Sequence, residues 1–516
     1  MNFPLRLDDP QGFQGLRRLL AESDFSEEGV CRRREIPSIY DFRTLREREG
    51  DGEESPRPDS PPVDALDLLV HLFMDGEGVP RETLEGVLDR DGWRPLETLG
   101  LITAHPVREA EVAATALLYP TAGLHIASDL NEDAPGASPD GGRLRPDSVY
   151  PAITDAAREF MADLPREGAG DRVLDLCAGT GVAALACASS AEHVWAVDIT
   201  ERCTRFAEFN ARLNGIENAT ALEGDLYLPV AGQTFHRIVA HPPYVPSGSD
   251  EYIFRDGGED GEQIFRRIVE GLPDHLLPGG LFYARCMATD RRDAPLEDRL
   301  RSLLGQASSE FHIFVVPSRV MDPARYILGA LQGGRMGPEE ADRRLTRLQE
   351  GGVEAFVHGT ILIQRRAEPG TVATVRRRRG GELNRVHLDW LRRWTARSVE
   401  TDLDQWLMEQ RPSLRDGAQV EVIHRVVGGQ PQAESLRVQA SEPFPTAIAL
   451  PPQAANFLPL FDGERTSREV HALAAERGWI PEGTTEGEWA GLLRSLVGGG
   501  VLCLDEEIEK LDPVVD

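Results

Sequence analysis

The chain has 516 residues, 86 Asp and Glu against 56 Lys and Arg, and a formal charge of −30. A single core rarely grows past about 250–300 residues, so several domains are expected, and no apolar run approaches the roughly 18–20 residues that cross a bilayer. The negative charge repels phosphate backbones and disfavours a nucleic-acid partner, although it leaves room for a local basic groove.

The six cysteines, Cys31, Cys177, Cys187, Cys203, Cys286 and Cys503, are scattered, with no C-x-x-C pair. Neither a disulfide framework nor a metal site is expected, and Cys177, Cys187 and Cys286, set in apolar runs, read as small buried hydrophobes. Lys510 is the one lysine; every other basic residue is Arg, a bias of the kind that GC-rich coding or salt adaptation produces. The first residues carry no basic stretch followed by an apolar one, so no secretory leader, no membrane partner and a cytoplasmic location are expected.

In chain order, residues 1–61 hold an amphipathic helix, Phe13–Glu22, and an acidic Pro-, Ser- and Gly-rich linker, Glu49–Asp64. Residues 62–135 read as three short helices, at 64–76, 79–90 and 93–102, and a strand–turn–strand unit within Ile102–Ser128. That is the layout of a winged helix. Its third helix offers only Arg94, with Glu97 nearby, which points to packing or substrate orientation rather than DNA binding.

Residues 140–367 alternate strands and helices. Strands are expected at Arg172–Leu176, His193–Val197, Ala219–Glu223, Arg237–Ala240, Gly280–Arg285, Phe311–Val316 and Phe356–Gln364. Helices are expected at Ala183–Ser189, Glu201–Asn214, Gln263–Leu272 and Leu296–Leu304. The pattern predicts an α/β, Rossmann-like, doubly wound sheet of seven strands. Residues 368–450 read as an α+β module with helices at His387–Ala396 and Thr401–Glu409 and a hairpin at Gln419–Val427 and Glu434–Ala440. Residues 451–516 read as a second winged-helix-like module, in which Asp462 to Thr466 forms a turn and helix cap. The arginine run Arg376–Arg379 is expected to pair with acidic surface of the same chain.

The strongest motif is Val173-Leu174-Asp175-Leu176-Cys177-Ala178-Gly179-Thr180-Gly181, an apolar strand entering a Gly-x-Gly turn and a helix. Glycines there let the chain turn and let a ligand approach the backbone. About twenty residues on, a second strand ends in Asp198, the place from which an acid reaches ribose hydroxyls. The third glycine of the dinucleotide fingerprint is missing, which favours a nucleoside without a diphosphate, and S-adenosylmethionine fits that description. A third strand ends at Asp225, placed to meet an adenine amino group, and a fourth runs into His241-Pro242-Pro243-Tyr244.

That tetrapeptide resembles the [Asn/Asp]-Pro-Pro-[Tyr/Phe] motif of class I S-adenosylmethionine-dependent methyltransferases acting on planar nitrogens. The stretch from about 145 to 290 resembles the HemK-type glutamine N-methyltransferases and the related rRNA guanine N-methyltransferases. Tyr252-Ile253-Phe254-Arg255-Asp256-Gly257-Gly258 looks like a group of bacterial methyltransferases with an N-terminal winged-helix-like module. The resemblance implies that Asp175, Ala178, Gly179 and Gly181 line the methionine end of the cofactor, Asp198 holds the ribose and Asp225 the adenine. It implies that His241, Pro242 and Tyr244 receive the target nitrogen, with His241 also at the cofactor.

His241 stands where the family has Asn or Asp. A neutral imidazole has one acceptor nitrogen and can replace the amide oxygen; a protonated one cannot, so activity should fall in acid. Residues 257–261 resemble the family's acidic, glycine-rich loop, which either covers the target or only caps the following helix. Residues 145–151 are expected to lie over the pocket as a lid.

The expected substrate is a protein or other macromolecule, because the extra domains exceed what a small metabolite needs. A small-molecule biosynthetic methyltransferase, an rRNA guanine N-methyltransferase and a non-catalytic cofactor-binding regulator stay open as alternatives.

Overall fold

The computed structural model describes residues 3–42, 62–130, 145–166, 168–247, 252–334, 336–381, 384–441 and 444–504. They form two compact units, Met1–Gly305 with Val320–Ala367, and Gln306–Arg319 with Glu368–Asp516. Linker residues 49–61, the module edges near 135–140 and Lys510 lie outside the described residues.

In the first unit, helix α1 (Pro10–Glu22) begins where the Asp9 carboxylate accepts the Gly12 N–H at 2.9 Å, and it buries Phe13, Leu16, Leu19 and Leu20 on one stripe. Then come α2 (Glu27–Arg34), α3 (Ala65–Leu69, continuing as a π-helical turn Val70–Met74), β1 (Val79–Pro80), α4 (Arg81–Val87), α5 (Arg90–Thr98), β2 (Ile102–Ala104) and β3 (Glu111–Ala114). The three strands pair antiparallel in the order β1-β3-β2, beside the helices that precede them. A tight hairpin follows, β4 (Leu117–Thr121) and β5 (Leu124–Ser128), whose two turn residues, Ala122 and Gly123, both have positive φ. Such a turn matches the twist of the paired strands.

Helix α6 (Asp155–Asp163) leads into the central sheet. Its elements are β6 (Asp171–Leu176), α7 (Val182–Cys187), β7 (Ala191–Asp198), α8 (Glu201–Leu213), β8 (Ala219–Glu223), β9 (Phe235–Ala240), α9 (Gln263–His275), β10 (Leu276–Arg291) and α10 (Leu296–Leu303). After β11 (Phe311–Met321) come α11 (Pro323–Gln332), α12 (Pro338–Glu350) and β12 (Val353–Arg365). Within the first unit the strand order is β8-β7-β6-β9-β10-β12, parallel except for β12, which runs antiparallel to β10. Val173, Leu174, Leu176, Ile238 and Val239 are fully buried, as expected of parallel strands covered on both faces.

The order reverses between β6 and β9, and the crevice beyond the carboxyl ends of these strands is the ligand position of such sheets. The Rossmann-like α/β class expected from the pattern is therefore observed. Helices α11 and α12 were not expected; they build a small core of Ile327, Ala341 and Leu348 with Met287, Val353 and Phe356.

In the second unit, Ile313–Val315, within the strand expected at Phe311–Val316, pair in parallel with β13 (Thr374–Arg376). Then follow α13 (Arg385–Ser398), α14 (Leu403–Glu409), β14 (Ser413–Leu414), β15 (Gln419–Val427), β16 (Gln430–Ala440), β17 (Thr446–Leu450), α15 (Ala454–Phe457), α16 (Ser467–Glu476), α17 (Glu486–Gly498) and β18 (Leu502–Cys503). Strand β14 pairs with β18, and β15-β16-β17 form a separate antiparallel sheet. Thr466 caps α16 in a reciprocal box with Glu469, the cap expected there. Within the arginine run, Arg377 is half-buried and donates to the Gly498 carbonyl at 2.7 Å; a carbonyl, rather than acidic surface, is its partner.

Among the described residues, no helix is long and apolar enough to cross a membrane, and no group of three or more His, Cys, Asp or Glu is placed to hold a metal ion.

Candidate active site

Four neighbouring strands deliver the expected residues to one edge. Asp175 lies in β6, Asp198 ends β7, Asp225 follows β8 and His241 follows β9. They line one cavity of about 1400 Å³, together with Ala178, Gly179, Pro242 and Tyr244. Gly181 is the exception. It caps α7 with φ +77°, and a Cβ there would stand 2.9 Å from the Ala207 Cβ, so it serves the close approach of α7 and α8.

The loop between β6 and α7 is built for a ligand's approach. Gly179 has φ +53°, and nothing lies within 4 Å of where its Cβ would be. Cys177 departs from the expectation of a simple buried hydrophobe: it is only partly buried, has φ +59° and forms cavity wall. Its conformation is set by the turn, and a glycine pattern alone does not reveal it.

The carboxylates are held by backbone donors. Asp198 Oδ2 accepts the Gly179 N–H at 2.9 Å and Oδ1 accepts the Thr200 N–H at 3.2 Å. Burial pushes its carboxyl up, against those donors. Asp175 is buried and accepts the Ala184 N–H from the first turn of α7 at 3.1 Å. Burial pushes it to about 8, the Ala184 N–H opposing and the nearby Asp198 adding to the rise. Asp225 is partly exposed and paired with Arg267 of α9 at 2.6 Å.

His241 sits in a column of aromatic rings. Its ring stacks on Phe160 of α6, centroids 4.9 Å apart at 23°, and Phe160 stacks in turn on Tyr283 of β10 at 5.3 Å. The Tyr283 hydroxyl donates to the Phe160 carbonyl at 2.7 Å, which fixes α6 against the sheet. His241 Nε2 is buried without a hydrogen-bond partner among the described residues. Burial alone pushes the imidazole down to about 4, so the ring is neutral across the physiological range. Tyr244 lies beside it, ring centroids 5.8 Å apart, and burial pushes its phenol up to about 12.

The glycine-rich loop and the residues before it are bonded onto the segment that follows the tetrapeptide. Val245 donates to the Arg255 carbonyl at 2.9 Å, Gly257 to Val245 at 3.0 Å and Ser247 to Gly258 at 3.0 Å. A Cβ on Gly261 would stand 2.5 Å from the Tyr244 carbonyl oxygen, so the approach demands glycine. At the loop's end Glu262 is buried, takes the Thr289 N–H at 2.5 Å and pairs with Arg299; Arg266 and Arg291 share it with Asp260.

Above the cavity, Ile253 donates to the Pro146 carbonyl at 3.0 Å and Tyr150 stacks on Phe254 at 4.9 Å, joining the expected lid residues to the loop. At the other side, the buried Asn210 carboxamide accepts the Ala127 N–H of β5 at 2.7 Å and donates to the Ala127 and Thr180 carbonyls at 3.0 and 2.9 Å. Phe160, Glu262 and Asn210 escaped the sequence reading, because nothing local marks an apolar helix residue, a loop acid or a helix amide as site support.

S-adenosylmethionine fits these residues. The open Gly179 cradle, three carboxylates for an amine and hydroxyls, and an unpartnered buried acceptor at His241 suit an adenosine with a cationic amino-acid tail.

Residues 151–309 match the sequence model of the family described as methyltransferase small domain. The chain is 34% identical over 127 residues to a release factor glutamine methyltransferase of Thermodesulfovibrio yellowstonii, covering 22% of this chain and 46% of that protein. It is 38% identical over 116 residues to a putative protein N5-glutamine methyltransferase of Methanocaldococcus jannaschii, covering 21% and 58%. It is 34% identical over 158 residues to a release factor glutamine methyltransferase of Gloeobacter violaceus, covering 28% and 53%. The chain spans about half the length of the curated relatives it matches. Fold, site and matched residues together define a class I S-adenosylmethionine-dependent methyltransferase domain within the chain. Among such domains its similarity is to the HemK-type glutamine methyltransferases.

Proposed function

We propose that the chain transfers a methyl group from S-adenosylmethionine to a planar nitrogen, foremost an amide, of a protein substrate. The observation that carries this reading is the neutral His241 imidazole lining the cavity at the carboxyl edge of β9. The similarity to protein glutamine methyltransferases supports the amide and the protein.

S-adenosylmethionine, when bound, supplies an electrophilic methyl on a cationic sulfur. In this reading Asp198 accepts from the ribose hydroxyls, Asp225 from the adenine amino group, and Asp175 faces the ammonium end. A resonance-stabilised nitrogen is a poor nucleophile because its lone pair is delocalised. The neutral His241 imidazole and the Pro242 carbonyl accept its two N–H groups, which favours a pyramidal nitrogen with the lone pair free. Tyr244 stacks on the flat group, and holding it in line supplies most of the rate. The new N–C bond forms as the S–C bond breaks. The nitrogen then carries an extra positive charge and is strongly acidic, so its proton passes to His241 Nε2 and on to water. An imidazole that binds protons weakly suffices for that role.

Residues 62–135 and 451–516 are proposed as winged-helix-like modules and 368–450 as an α+β module, before and after the catalytic domain at 140–367 in the chain. They would select the substrate, in the cytoplasm. Incubating the protein with methyl-labelled S-adenosylmethionine and fractionated lysate tests the reading. Label is expected in protein; label in RNA or small molecules only, or cofactor binding without transfer, overturns it. Asp198→Ala is expected to weaken cofactor binding by about tenfold or more, the weight of hydrogen bonds to a charged group.

A further inference from the structure

Strand β15, Gln419–Val427, is nine residues long and exposed along its whole length. It is the terminal strand of the sheet β15-β16-β17, so one row of its backbone donors and acceptors faces away from β16. Val420, Val422, Ile423, Val426 and Val427 are exposed large apolar side chains, an unusual concentration for one strand. Free edges of this kind invite pairing, and proteins normally blunt them with proline, short length, many charges or β-bulges. β15 has no proline, its charged residues are Glu421 and Arg425, and the irregularity in its pairing with β16, between Ile423 and His424, puts the extra residue, Glu434, on β16 rather than on β15.

Those two charges stand in a self-complementary arrangement. In a strand, residues two apart share a face, so Glu421, Ile423 and Arg425 lie on one side and Val420, Val422, His424 and Val426 on the other. If a second β15 is laid antiparallel along the edge with the two-fold axis at Ile423, Glu421 falls opposite Arg425 of the second copy, and Arg425 opposite its Glu421. The same register sets Val420 opposite Val426 and Val422 opposite His424, and apolar side chains meet on both faces. A one-residue slip moves every side chain to the other face and loses the charge match. Arg425 also pairs with Glu434 of its own β16.

We infer that β15 is a homodimerisation edge, at which two copies join their three-stranded sheets into one continuous antiparallel sheet about Ile423. Opposite charges directly across an antiparallel pair attract and like charges repel, so the ion pairs fix the register while the valines supply apolar area. The inference rests on the second unit alone and is independent of the methyl-transfer reading.

Sedimentation velocity on the full chain over a concentration series tests it, with S-adenosylmethionine binding and thermal unfolding as controls for folding. A concentration-dependent dimer is expected. Glu421→Arg alone and Arg425→Glu alone each place like charges opposite one another and are expected to weaken association by about tenfold or more. The double variant Glu421→Arg, Arg425→Glu restores opposite pairs and is expected to recover the dimer. Ile423→Cys is expected to cross-link to its own counterpart under mild oxidation, since facing Cα atoms in antiparallel strands lie at disulfide range.

A chain monomeric at high micromolar concentration overturns the proposal. So does a double variant as weak as either single one, or a dimer that neither single swap affects. A chain ending at residue 504 that dimerises when the full chain does not shows that the chain's own last residues occupy the edge, and overturns it as well.

Discussion

The imidazole of His241 lies nearly parallel to the phenyl ring of Phe160, 4.9 Å between centroids, and this contact covers one face of the ring. The tetrapeptide thus depends on a helix that precedes the whole sheet in the chain. Replacing an amide by an imidazole preserves an acceptor only while the imidazole is neutral, and burial by Phe160 and its neighbours secures that state.

His241→Ala is expected to lower transfer by about 100-fold, the weight of one aligned polar group at a reacting centre, while cofactor affinity changes little. His241→Asn, which restores an amide oxygen, is expected to keep more activity than the alanine variant. Single-turnover rates beside cofactor titration separate the two effects; full activity in the alanine variant would falsify the acceptor role.

The pH dependence has a definite sign. An imidazole with a folded value of about 4 stays neutral until well below the usual histidine range. Its contribution to the rate is expected to be flat from neutrality down to about pH 5 and to fall through about 4. Stability follows the same direction: between the unfolded value near 6.5 and the folded one the unfolded chain binds more protons, so stability is lost as pH falls through that window. A rate profile bending near 6.5 would show an ordinary, solvated histidine.

Phe160→Ala removes the lid of that column and leaves a cavity, at an expected cost of about 3–5 kcal/mol in stability. Water entering beside His241 should also raise the imidazole toward its ordinary value. Phe160→Leu should cost less stability and shift the histidine less. The histidine ring titration followed by NMR distinguishes lost packing from lost exclusion of water, because packing alone leaves the titration where it was.

Asp175 predicts a trade between stability and binding. Its folded value near 8 lies above the unfolded one, so the native state holds the extra proton between about 4 and 8 and stability falls as pH rises through that range. Asp175→Asn keeps an acceptor for Ala184 and removes the buried charge. It is expected to stabilise the free protein above pH 8 by roughly 1 kcal/mol or more, and to weaken cofactor binding. In the native protein, binding of a cationic ligand should release a proton below about pH 8. Calorimetry in buffers of different ionisation enthalpy reads that proton directly, and a release unchanged in Asp175→Asn places it elsewhere.

Glu262→Ala leaves Arg299 with its Thr289 contacts but without its carboxylate, and deprives the Thr289 N–H of its acceptor; breaking such a buried pair on one side costs about 3–5 kcal/mol. Since the same carboxylate ends the loop bonded to Val245, transfer should fall further than cofactor affinity.

The strands of the central sheet were legible because each is an apolar run bounded by turn residues: Ala219–Glu223 is observed with the expected limits, and Arg172–Leu176 is extended by one residue. The acids at the strand ends were legible for the same reason, since the sheet's order places them. Helix α12 was not, because PEEADRRLTRLQE buries only Ala341 and Leu348 beneath a charged surface. Gly181 shows the limit of motif reading: a glycine beside a ligand and a glycine beside a helix look alike until Ala207 is seen against it. Cys177 shows another, since its left-handed backbone belongs to the turn and not to its own residue type.

Asn210 gives the architecture a practical consequence. Its single carboxamide satisfies a carbonyl in the cofactor loop and both polar groups of Ala127 in the preceding hairpin. A fragment cut to begin at the first strand of the sheet would leave that amide facing solvent where β5 had been, and the turn around Thr180 would lose its brace. The smallest piece that binds cofactor with native affinity is therefore expected to start upstream of β5, before the boundary at which the methyltransferase family match begins.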